Sequence, residues 1–315
     1  MEVIRDRSNL KPEHRGSAVT IGNFDGVHIG HQAILSELRK QALMHGVPAV
    51  VVTFEPTPRE YFSPETAPPR LTDFREKCEM LEYHGMDRML VLGFDAELAA
   101  LSAEAFIREI LIEGLGVEYL VIGDDFRFGK DRAGDFAMLQ AAGVQSGFDV
   151  AATPTQTHQG KRVSSTWVRD ALADGDLALA QELLGRRYRM SGLVVQGDRI
   201  GRQLGFPTAN LERSGKLPLG GIFLVRVYGL DDEPRYGMAS AGTRPTVNGK
   251  HDLVEVYLFD FDRDIYGEHI EIEFLDKLRE EERFPDLESL REQIRLDVNE
   301  GRLRMVEWQR RDRAV

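Results

Sequence analysis

The hydrophobic pattern of this 315-residue chain changes its period near residue 186, and this change limits the possible folds more than any other feature. Before that point, segments that are apolar throughout alternate with segments whose apolar residues recur at helical spacing. Strongly apolar strands without charged residues are typical of sheets buried on both faces, so this half predicts an α/β doubly wound parallel sheet. The strand-like segments are Ala18–Gly22, Ala49–Phe54, Met89–Gly93, Tyr119–Gly123 and Val150–Ala152, and the helical ones are Gly30–His45, Asp73–His84, Ser102–Glu113 and Asp135–Ser146.

The second half consists of strands separated by clusters of Gly, Pro, Asp and Asn. Because closure removes exposed strand edges, we expect a small closed β-barrel, followed by one helix that begins after Pro285. The length fits two domains of about 150 residues each, and we predict them at residues 1–185 and 186–315. The predicted strands are Leu193–Gln196, Ile222–Tyr228, Tyr236–Ala239, Leu253–Phe259 and His269–Phe274.

Composition excludes several classes of protein. The chain has 40 Lys and Arg against 52 Asp and Glu, a net charge of −12, which argues against a protein that coats nucleic acid or an anionic membrane. The single cysteine, Cys78, excludes an internal disulfide and suits a reducing compartment. The segment Met1–Arg7 lacks the pattern of a signal peptide, and no apolar run approaches the ~18–20 residues of a membrane span. We therefore expect a cytoplasmic protein whose partners are small molecules; the oligomeric state is not indicated.

A strand-to-helix turn carries the most informative residues of the first half. The segment Thr20–His31 passes from a buried strand through a loop broken by glycines into a helix, an arrangement in which backbone N–H groups can hold phosphate. If the helix begins at His28, His28 and His31 share a face and can both reach one anion. Gly30 would let a large ligand approach the backbone. Taken alone, the segment is also typical of a tight turn with two surface histidines.

The motif His-x-Gly-His at residues 28–31 resembles the signature of the nucleotidylyltransferase superfamily. The Gly-Asn-Phe-Asp-Gly segment at residues 22–26 resembles the bifunctional riboflavin kinase/FMN adenylyltransferase family of bacteria. The resemblance extends over residues 17–298, with the family's motifs in the same order along the chain. The further matching segments of the first half are Thr53–Arg59, Leu71–Lys77, Gly123–Gly129 with Arg132 and Gly134, and Ser164–Arg169.

For the first half, the resemblance implies transfer of an adenylyl group from ATP to FMN. This displacement at the α-phosphorus needs mainly alignment and charge stabilisation. His28 and His31 would donate to phosphate oxygens, and the guanidinium of Arg169 would hold a phosphate. Without the resemblance, Arg169 reads as a solvated helix charge and the Ser-Ser-Thr segment as a helix cap. The nucleotide-binding residues implied are Gly22, Asn23, Phe24, Asp25, Gly30, Ser164, Ser165 and Thr166.

Aromatic and proline residues near two strand ends predict a flavin cleft in the same half. Asp124 and Asp125 follow a strand, where an α/β sheet binds ligands, and one of them would orient a base, a ribose or a metal. Core phenylalanines beside a turn are an equally common explanation of Phe126 and Phe128. The family pattern has histidine where this chain has Thr57. The flavin-binding residues expected are Phe54, Pro56, Pro58, Phe62, Asp124, Asp125, Phe126 and Phe128.

In the second half, residues 197–210 resemble the riboflavin kinase module, with a glycine-rich segment followed by Pro-Thr-Ala-Asn. The resemblance implies a mobile loop that wraps phosphates, and it implies Thr208 and Asn210 as oxygen ligands of Mg²⁺ on ATP. Without it, a glycine hairpin with an Asn turn is the better interpretation. The nucleotide-binding residues expected in this loop are Gly197, Gly201, Arg202 and Gly205.

Glu255 aligns with the carboxylate that the family uses as general base on the terminal ribityl hydroxyl. We expect it to face a barrel mouth; the alternative is a strand glutamate that faces solvent. The segment Tyr236–Thr246 also resembles the module, but it carries Ser240 where asparagine is expected. Phe274–Arg279 and Phe284 would add wall and loop residues to the flavin site.

Together these motifs imply that the barrel converts riboflavin and ATP to FMN and ADP. The α/β half would then convert FMN and ATP to FAD and pyrophosphate, and both steps would need Mg²⁺. Two alternatives remain open: an adenylyltransferase whose barrel only binds flavin, and a flavin- or nucleotide-sensing regulator without turnover. The intact set of catalytic residue types weighs against the regulator; it comprises His28, His31, Thr208, Asn210 and Glu255.

Overall fold

A computed structural model describes residues 1–197, 200–213, 215–246 and 249–312, and the chain divides into two compact units. The first unit comprises Met1–Pro68 and Thr72–Ser165, and the second comprises Pro69–Leu71 together with the chain from Thr166 onward. This division precedes residue 185 because the helix Leu177–Leu184 packs against a barrel strand. The predicted domain boundary at residue 185 stays a prediction.

The first unit is a six-stranded sheet in the order β1-β4-β3-β2-β5-β6, and each neighbouring pair is parallel. A two-stranded hairpin, β7 with β8, follows it. The strands are β1 Glu2–Arg5, β2 Ser17–Ile21, β3 Ala49–Glu55, β4 Arg88–Gly93, β5 Val117–Gly123, β6 Asp149–Thr153, β7 Thr157–His158 and β8 Lys161–Arg162. The helices are α1 Ile29–His45, α2 Pro58–Phe62, α3 Phe74–Tyr83, α4 Ala96–Ala100, α5 Ala103–Phe106, which continues as a π-helix over Ile107–Gly114, and α6 Phe136–Ser146.

Successive residues of the central strands face two different cores, which explains why those strands are apolar throughout. In β3, Val50 packs in a cluster with Ile110, and Val51 packs in a cluster with Leu35 of α1. The prediction of a doubly wound parallel sheet is therefore confirmed. Strand β1 is not predicted from the sequence, because it lies at the sheet edge and only Ile4 is buried among its residues.

The second unit is a closed barrel in the order β10-β13-β12-β11-β14-β9, with antiparallel pairing throughout, so the predicted barrel is confirmed. Its strands are β9 Arg189–Val195, β10 Ala209–Glu212, β11 Gly221–Tyr228, β12 Arg235–Thr246, β13 Gly249–Leu258 and β14 His269–Arg279. Its helices are α7 Ser165–Ala173, α8 Leu177–Leu184, α9 Ile200–Leu204 and α10 Leu287–Asp312.

The two faces of β13 are buried to different degrees. Val254, Val256 and Leu258 are buried, whereas Glu255 and Tyr257 between them are only partly buried. The face of the barrel wall that carries Tyr257 packs against α10 in one apolar cluster. The alternation therefore turns Glu255 toward the side of the wall that the C-terminal helix covers.

Candidate active sites

The turn between β2 and α1 brings His28 and His31 together. His28 is the N-cap of α1, and its Nδ1 accepts a hydrogen bond from the backbone N–H of His31 at 3.3 Å. The two imidazole rings stack, with centroids 3.7 Å apart and planes inclined by 15°. Since α1 begins at Ile29, the pair lies at the helix N-terminus, where backbone N–H groups favour anions.

The environment of His31 keeps its imidazole neutral. Burial, and then the positive neighbours His28, Lys77 and Arg162, hold the pKa of His31 well below its ordinary value of 6.5. Its Nδ1 is buried, and no residue that the structure describes forms a hydrogen bond with it. A neutral imidazole still has one N–H donor, and in the tautomer protonated at Nδ1 this group would donate to a ligand oxygen.

Two glycines of this turn make room for side chains of the same motif. A Cβ at Gly22 would lie 3.1 Å from the ring of Phe24, and a Cβ at Gly30 would lie 3.0 Å from the ring of His28. Phe24 is buried, with its ring centroid 5.0 Å from that of His31. The close approach expected at Gly30 is thus made by an imidazole of the protein.

Asp25 and Asn23, which are both expected to bind the nucleotide, also form hydrogen bonds that hold their loop to neighbouring segments. Oδ1 of Asp25 accepts hydrogen bonds from the backbone N–H of Thr72 at 3.1 Å and from its hydroxyl at 3.3 Å. Oγ of Ser165 donates to the carbonyl oxygen of Asp25 at 2.9 Å, and Thr53 Oγ1 donates to that of Asn23 at 3.4 Å. Only 7% of Asp25 is exposed, so this carboxylate holds the loop in place.

The Ser-Ser-Thr segment stands at the start of α7, which begins at Ser165. Arg169 follows on this helix, and its Nε donates to the carbonyl oxygen of Pro69 at 2.6 Å. Ser164 immediately precedes the helix, and Thr166 lies in its first turn. Nucleotide contacts of these residues stay a prediction.

Aromatic rings of the first unit surround a cavity of about 550 Å³. Phe54 and Phe62 both pack edge-on against Phe94, with ring centroids 5.8 and 5.6 Å apart. Phe126 stacks on Phe128 at 5.5 Å. Phe94 is not singled out in the sequence, although its position directly after β4 puts it at the carboxyl edge of the sheet. The predicted residues that line the cavity are Phe54, Pro58, Phe62, Phe126 and Phe128.

Three residues expected at the flavin do not line this cavity. Both carboxylate oxygens of Asp124 accept from Thr155 Oγ1 at 2.8 Å. Asp125 is ion-paired with Arg162, and this hydrogen bond holds the pKa of Asp125 below its ordinary value. Pro56 follows a cis peptide bond and is also absent from the lining. The aspartates are directed instead toward side chains near the end of the sheet.

Thr57, where the family pattern has histidine, caps α2. Its Oγ1 accepts from the backbone N–H of Glu60 at 3.4 Å, and Glu60 Oε2 accepts from the backbone N–H of Thr57 at 2.8 Å. This reciprocal arrangement is a capping box, which satisfies two otherwise unbonded N–H groups. The hydroxyl of Thr57 thus fixes the start of the helix that carries Pro58 and Phe62.

In the second unit, three barrel strands align Asn210, Glu255 and Ser240 in one row. Asn210 of β10 lies directly opposite Glu255 of β13, which lies directly opposite Ser240 of β12. Side chains at directly opposite positions project to the same face, with Cβ atoms about 4.5–5.5 Å apart. Strand register therefore joins residues that are distant in the sequence.

Thr208 lines two cavities of this unit, with volumes of about 260 and 250 Å³. Glu255 lies in the second, which α10 also walls through Ile294 and Val298. The alternation along β13 turns Glu255 toward the side of the wall that α10 covers, and the expectation that Glu255 faces a barrel mouth stays a prediction. Of the other predicted residues, Gly197, Arg202 and Asn210 line the first cavity, and Gly201 and Ser240 line the second.

The glycines of the predicted phosphate loop have packing roles in the structure. A Cβ at Gly197 would lie 2.3 Å from Nδ2 of Asn210, and a Cβ at Gly201 would lie 2.4 Å from the carbonyl oxygen of Phe206. Gly205 has φ +89°, which an L side chain rarely adopts, and it lines neither cavity. Asp198 and Arg199 of this loop lie outside the described residues.

Oδ1 of Asn210 is buried, and it accepts no hydrogen bond from any residue within the described ranges. A buried amide oxygen without a partner costs about 1–3 kcal/mol, so a ligand at this position would relieve a cost. The oxygen belongs to a residue that lines the first cavity, next to Thr208. Both side chains offer the hard oxygen atoms that Mg²⁺ prefers.

Arg279, which ends the predicted wall segment Phe274–Arg279, lines the second cavity, but its partner Asp297 and one further segment have no motif in the sequence. Nε and Nη2 of Arg279 donate to the two carboxylate oxygens of Asp297 at 2.8 and 2.6 Å, which ties β14 to α10 across the second cavity. The segment Phe261–Tyr266 lines the first cavity. Neither Asp297 nor the segment Phe261–Tyr266 could be found without the tertiary contacts.

Two family models match the chain. The model described as FAD synthetase matches residues 10–167, and the model described as riboflavin kinase matches residues 184–304. A solved structure from Streptococcus pneumoniae, described as a macrolide-efflux protein, is similar with a TM-score of 0.80 and 29% sequence identity. It covers 96% of this chain and 99% of that one. Within the described ranges, no helix has the length and apolar character needed to cross a bilayer.

Full-length relatives carry the names of two activities. A bifunctional riboflavin kinase/FMN adenylyltransferase of Pseudomonas fluorescens is 51% identical over 305 residues, which is 96% of this chain and 97% of the relative. The protein of the same name from Escherichia coli (strain K12) is 47% identical over 94% of this chain and 96% of the relative. With both halves matched, the chain belongs to the bifunctional riboflavin kinase/FMN adenylyltransferase family.

Proposed function

We propose that the protein makes FAD from riboflavin in two ATP-dependent transfers. The barrel unit converts riboflavin and ATP to FMN and ADP, and the α/β unit converts FMN and ATP to FAD and pyrophosphate. Both family models and the names of the relatives support this pair of activities. One observation carries the kinase assignment: Thr208 lines two cavities, with Asn210 in one and Glu255 in the other.

In the kinase step, the first barrel cavity holds ATP and the second holds riboflavin. Glu255 accepts the proton of the terminal ribityl hydroxyl while that oxygen bonds to the γ-phosphorus and the bond to ADP breaks. The row formed by Asn210, Glu255 and Ser240 supports this role, because it brings the base to the same wall as a phosphate-side residue. Gly197, Gly201 and Arg202 contact the phosphates, and Gly205 shapes the turn that carries them.

Thr208 and Asn210 hold Mg²⁺ in this proposal. The unpartnered, buried Oδ1 of Asn210 fits a cation ligand. The described part of the chain contains no group of three or more His, Cys, Asp and Glu side chains that could hold a metal. That fits Mg²⁺, which is bound through few protein oxygens and keeps water and phosphate ligands. When bound, the ion neutralises charge on the ATP phosphates.

In the adenylyltransferase step, a phosphate oxygen of FMN bonds to the α-phosphorus of ATP and the bond to pyrophosphate breaks. His28 and His31 donate hydrogen bonds to oxygens that gain negative charge in this step, a role supported by the free Nδ1 of His31 at a helix start. The nucleotide is held by Gly22, Asn23, Phe24, Asp25, Gly30, Ser164, Ser165, Thr166 and Arg169. The same Mg²⁺ requirement is proposed for this half.

The aromatic cavity of the first unit receives the isoalloxazine ring of FMN. Five of the residues predicted to bind the flavin, four phenylalanines and one proline, support this role because they line the same cavity. Its volume of about 550 Å³ is large enough for a tricyclic ring. Asp124 and Asp125 then act outside the ring cavity, on the ribityl chain or a phosphate-bound metal. We further propose a cytoplasmic location without nucleic-acid or membrane partners, since Cys78 is the single cysteine and the net charge is −12.

The test follows both products in one reaction. The purified full-length protein is incubated with riboflavin, ATP and Mg²⁺, and flavins are separated by chromatography over time. We expect riboflavin to give FMN and then FAD, EDTA to stop both steps, and added Mg²⁺ to restore them. Absence of FMN, with added FMN still converted to FAD, would favour a barrel that only binds flavin. Turnover in metal-free buffer would remove the Mg²⁺ assignment.

A further inference from the structure

The turn between β2 and α1 contains two residues in an unfavourable backbone conformation. Phe24 and Val27 have φ values of 49° and 40°, in the left-handed region that bulky and β-branched side chains rarely adopt. Both side chains are buried, so neither belongs to a loose surface loop. Such conformations persist only where the surrounding contacts enforce them, and they cluster at functional sites. Other segments of the chain must therefore hold this turn.

The conformation of the turn determines where both histidines lie. Val27 directly precedes His28, the N-cap of α1. The ring of Phe24 packs against that of His31, with centroids 5.0 Å apart and planes inclined by 51°. A change of φ at either residue would move an imidazole, and a displacement of about 1 Å near reacting groups costs up to roughly 10²-fold in rate.

Thr72 supplies the contacts that hold the middle of the turn. It is 4% exposed and lies immediately before Asp73, the N-cap of α3. Its Oγ1 accepts a hydrogen bond from the backbone N–H of Gly26 at 3.1 Å and donates to Oδ1 of Asp25 at 3.3 Å. Its backbone N–H donates to the same carboxylate oxygen at 3.1 Å. Since these two partners lie between the two unfavourable residues, Thr72 binds the centre of the turn.

The helix that follows fixes this threonine in place. Oδ1 of Asp73 accepts from the backbone N–H of Glu76 at 2.7 Å, and Oε2 of Glu76 accepts from that of Asp73 at 2.8 Å, which is a capping box. Leu81 of α3 belongs to the same buried cluster as both unfavourable residues of the turn. The start of α3 is therefore held by its own cap, and its apolar face packs toward the turn.

Lys77 adds a buried positive charge on this helix. It is only 2% exposed and lies four residues before Leu81, on the same face of α3. Burial, and then three positive groups, lower the pKa of His31. These groups are His28 at the start of α1, Lys77 of α3 and Arg162 of β8. Because its side chain has almost no exposed surface, Lys77 acts on His31 without touching a ligand.

We propose that Thr72 and Lys77 are positioning residues of the adenylyltransferase, which hold the turn between β2 and α1 ready for the triphosphate of ATP. Thr72 keeps the backbone of the turn in its unfavourable conformation, and Lys77 keeps the imidazole of His31 uncharged. Since the turn is arranged before ATP binds, its donors need no reorganisation during the reaction. The inference rests on the proposed function, because it takes this turn as the ATP site of FAD formation.

The first test removes the hydroxyl of Thr72. Thr72→Val keeps the branched shape of the side chain but can neither accept from Gly26 nor donate to Asp25. With full-length protein, FMN and Mg²⁺, kcat/KM for ATP, read from pyrophosphate release, should fall roughly 10- to 100-fold. The KM for FMN should stay close to that of the wild type, since the described lining of the aromatic cavity includes no residue of the turn or of α3.

Thr72→Ser retains the hydroxyl and should recover most of the lost activity. Thr66→Val is the matched control, because Thr66 is an exposed threonine of the same unit that does not line the aromatic cavity. A Thr72→Val protein that behaves like Thr66→Val, or that loses affinity for ATP and FMN alike, would overturn the role of Thr72.

The second test removes the charge of Lys77. In Lys77→Met the pKa of His31 should rise, because a positive neighbour is lost, so His31 takes up a proton at higher pH than in the wild type. A charged His31 is repelled by Arg162, which disturbs the histidine pair. The loss of kcat/KM for ATP should therefore be larger at about pH 6 than at about pH 8, whereas the loss in Thr72→Val should be the same at both.

Lys40→Met is the control for this variant, since Lys40 is an exposed lysine on α1 of the same unit. A loss in Lys77→Met that does not change with pH, or that equals the loss in Lys40→Met, would overturn the role of Lys77. Thermal melts establish which variants are folded. If Thr72→Val or Lys77→Met is unfolded at the assay temperature, Thr72→Ala or Lys77→Gln replaces it, with the same expected results.

Failure of this proposal is distinguishable from failure of the proposed function. If the wild-type protein does not convert added FMN to FAD, the proposed function is wrong. If FAD forms but the Thr72 and Lys77 variants match their controls, the function stands and the positioning roles are overturned. Riboflavin phosphorylation, read from ADP release, should be close to wild type in every variant, because the kinase is assigned to the barrel.

Discussion

The two units assemble their candidate sites at very different sequence distances. In the first unit, His28 and His31 lie in one turn, and the N-cap of α1 brings their rings to 3.7 Å. In the second unit, the residues of one row come from three strands, β10, β13 and β12, and barrel closure aligns them. One site is therefore built by local backbone geometry and the other by long-range register.

This difference determines how each site responds to change. A local site at a helix start depends on capping and burial of a few consecutive residues, so a substitution affects it through its own contacts. A register-built site depends on strands that pair across the whole barrel, and small shifts in one strand move groups supplied by another. The two sites should therefore be separable by point variants if the units work as assigned.

The largest expected effect separates the kinase from the adenylyltransferase. Glu255→Gln keeps the side-chain volume but removes the base, so FMN formation should fall by about 10²–10⁴, the range for a general base. Conversion of added FMN to FAD should stay close to wild type, because no adenylyl-transfer role is assigned to the barrel. Initial rates of ADP and pyrophosphate release measure the two steps separately.

Glu271→Gln is the matched control for this variant. Glu271 is a carboxylate of the same barrel that pairs with Arg189 at 2.7 Å and lines neither barrel cavity. If folded Glu255→Gln protein makes FMN at the wild-type rate, Glu255 is not the base. The row of residues aligned by strand register would then not be the kinase site.

The reverse separation comes from the histidine pair. Replacing both residues, His28→Ala with His31→Ala, should lower FAD formation by roughly 10²–10³, the loss typical of removing positioned donors from a transition state. Riboflavin should still be converted to FMN, which then accumulates. Chromatography of the flavins measures both, and a thermal melt checks folding. Normal FAD production by the double variant would move the adenylylation site elsewhere in the chain.

A methyl group added at Gly197 tests the long-range assembly itself. In Gly197→Ala, the new Cβ would lie 2.3 Å from Nδ2 of Asn210, so the amide must move. Displacements of about 1 Å near reacting groups cost up to roughly 10²-fold, and we expect a 10- to 100-fold loss of kinase kcat/KM for ATP with FAD formation retained. Gly220→Ala is the control, since its Cβ would meet nothing closer than 3.7 Å. Equal kinase activity in the two variants would contradict the Asn210 assignment.

The sequence predicts what periodic patterns and short motifs encode. Apolar strands such as Val50–Val52 face two cores, so successive residues are all apolar. Because this pattern is visible in the sequence, the parallel sheet could be predicted. The histidine pair could also be predicted, because its members are three residues apart. The barrel followed from the alternation of strands and turns, although strand β10 did not, since it begins within a motif interpreted as a loop.

Contacts between distant segments could not be predicted. The sequence around Phe94 does not indicate that its ring packs against Phe54 and Phe62. The Arg279–Asp297 pair forms only when β14 packs against α10. The packing of α10 on the side of the wall that carries Glu255 could not be predicted for the same reason. Which face of β13 is covered depends on where the C-terminal helix packs, and strand alternation alone does not give that.

The smallest expected effect concerns stability and the burial of His31. Its pKa is held well below 6.5 in the folded protein, chiefly by burial, whereas the unfolded chain has the ordinary value. Below about pH 6.5 the unfolded chain therefore binds more protons, and the free energy of unfolding falls as pH decreases, by at most about 1.4 kcal/mol per pH unit for one group. His31→Asn lacks this titrating group, so between pH 7.5 and 5.5 the variant should lose less stability than the wild type.

Urea denaturation followed by circular dichroism at both pH values measures this difference. His45→Asn is the control for loss of an imidazole, because His45 lies at the exposed end of the same helix. The free energies of unfolding of the wild type and His31→Asn could instead differ by the same amount at both pH values. That result would show that burial does not lower the pKa of this imidazole, and the local site would then depend on its hydrogen bonds alone.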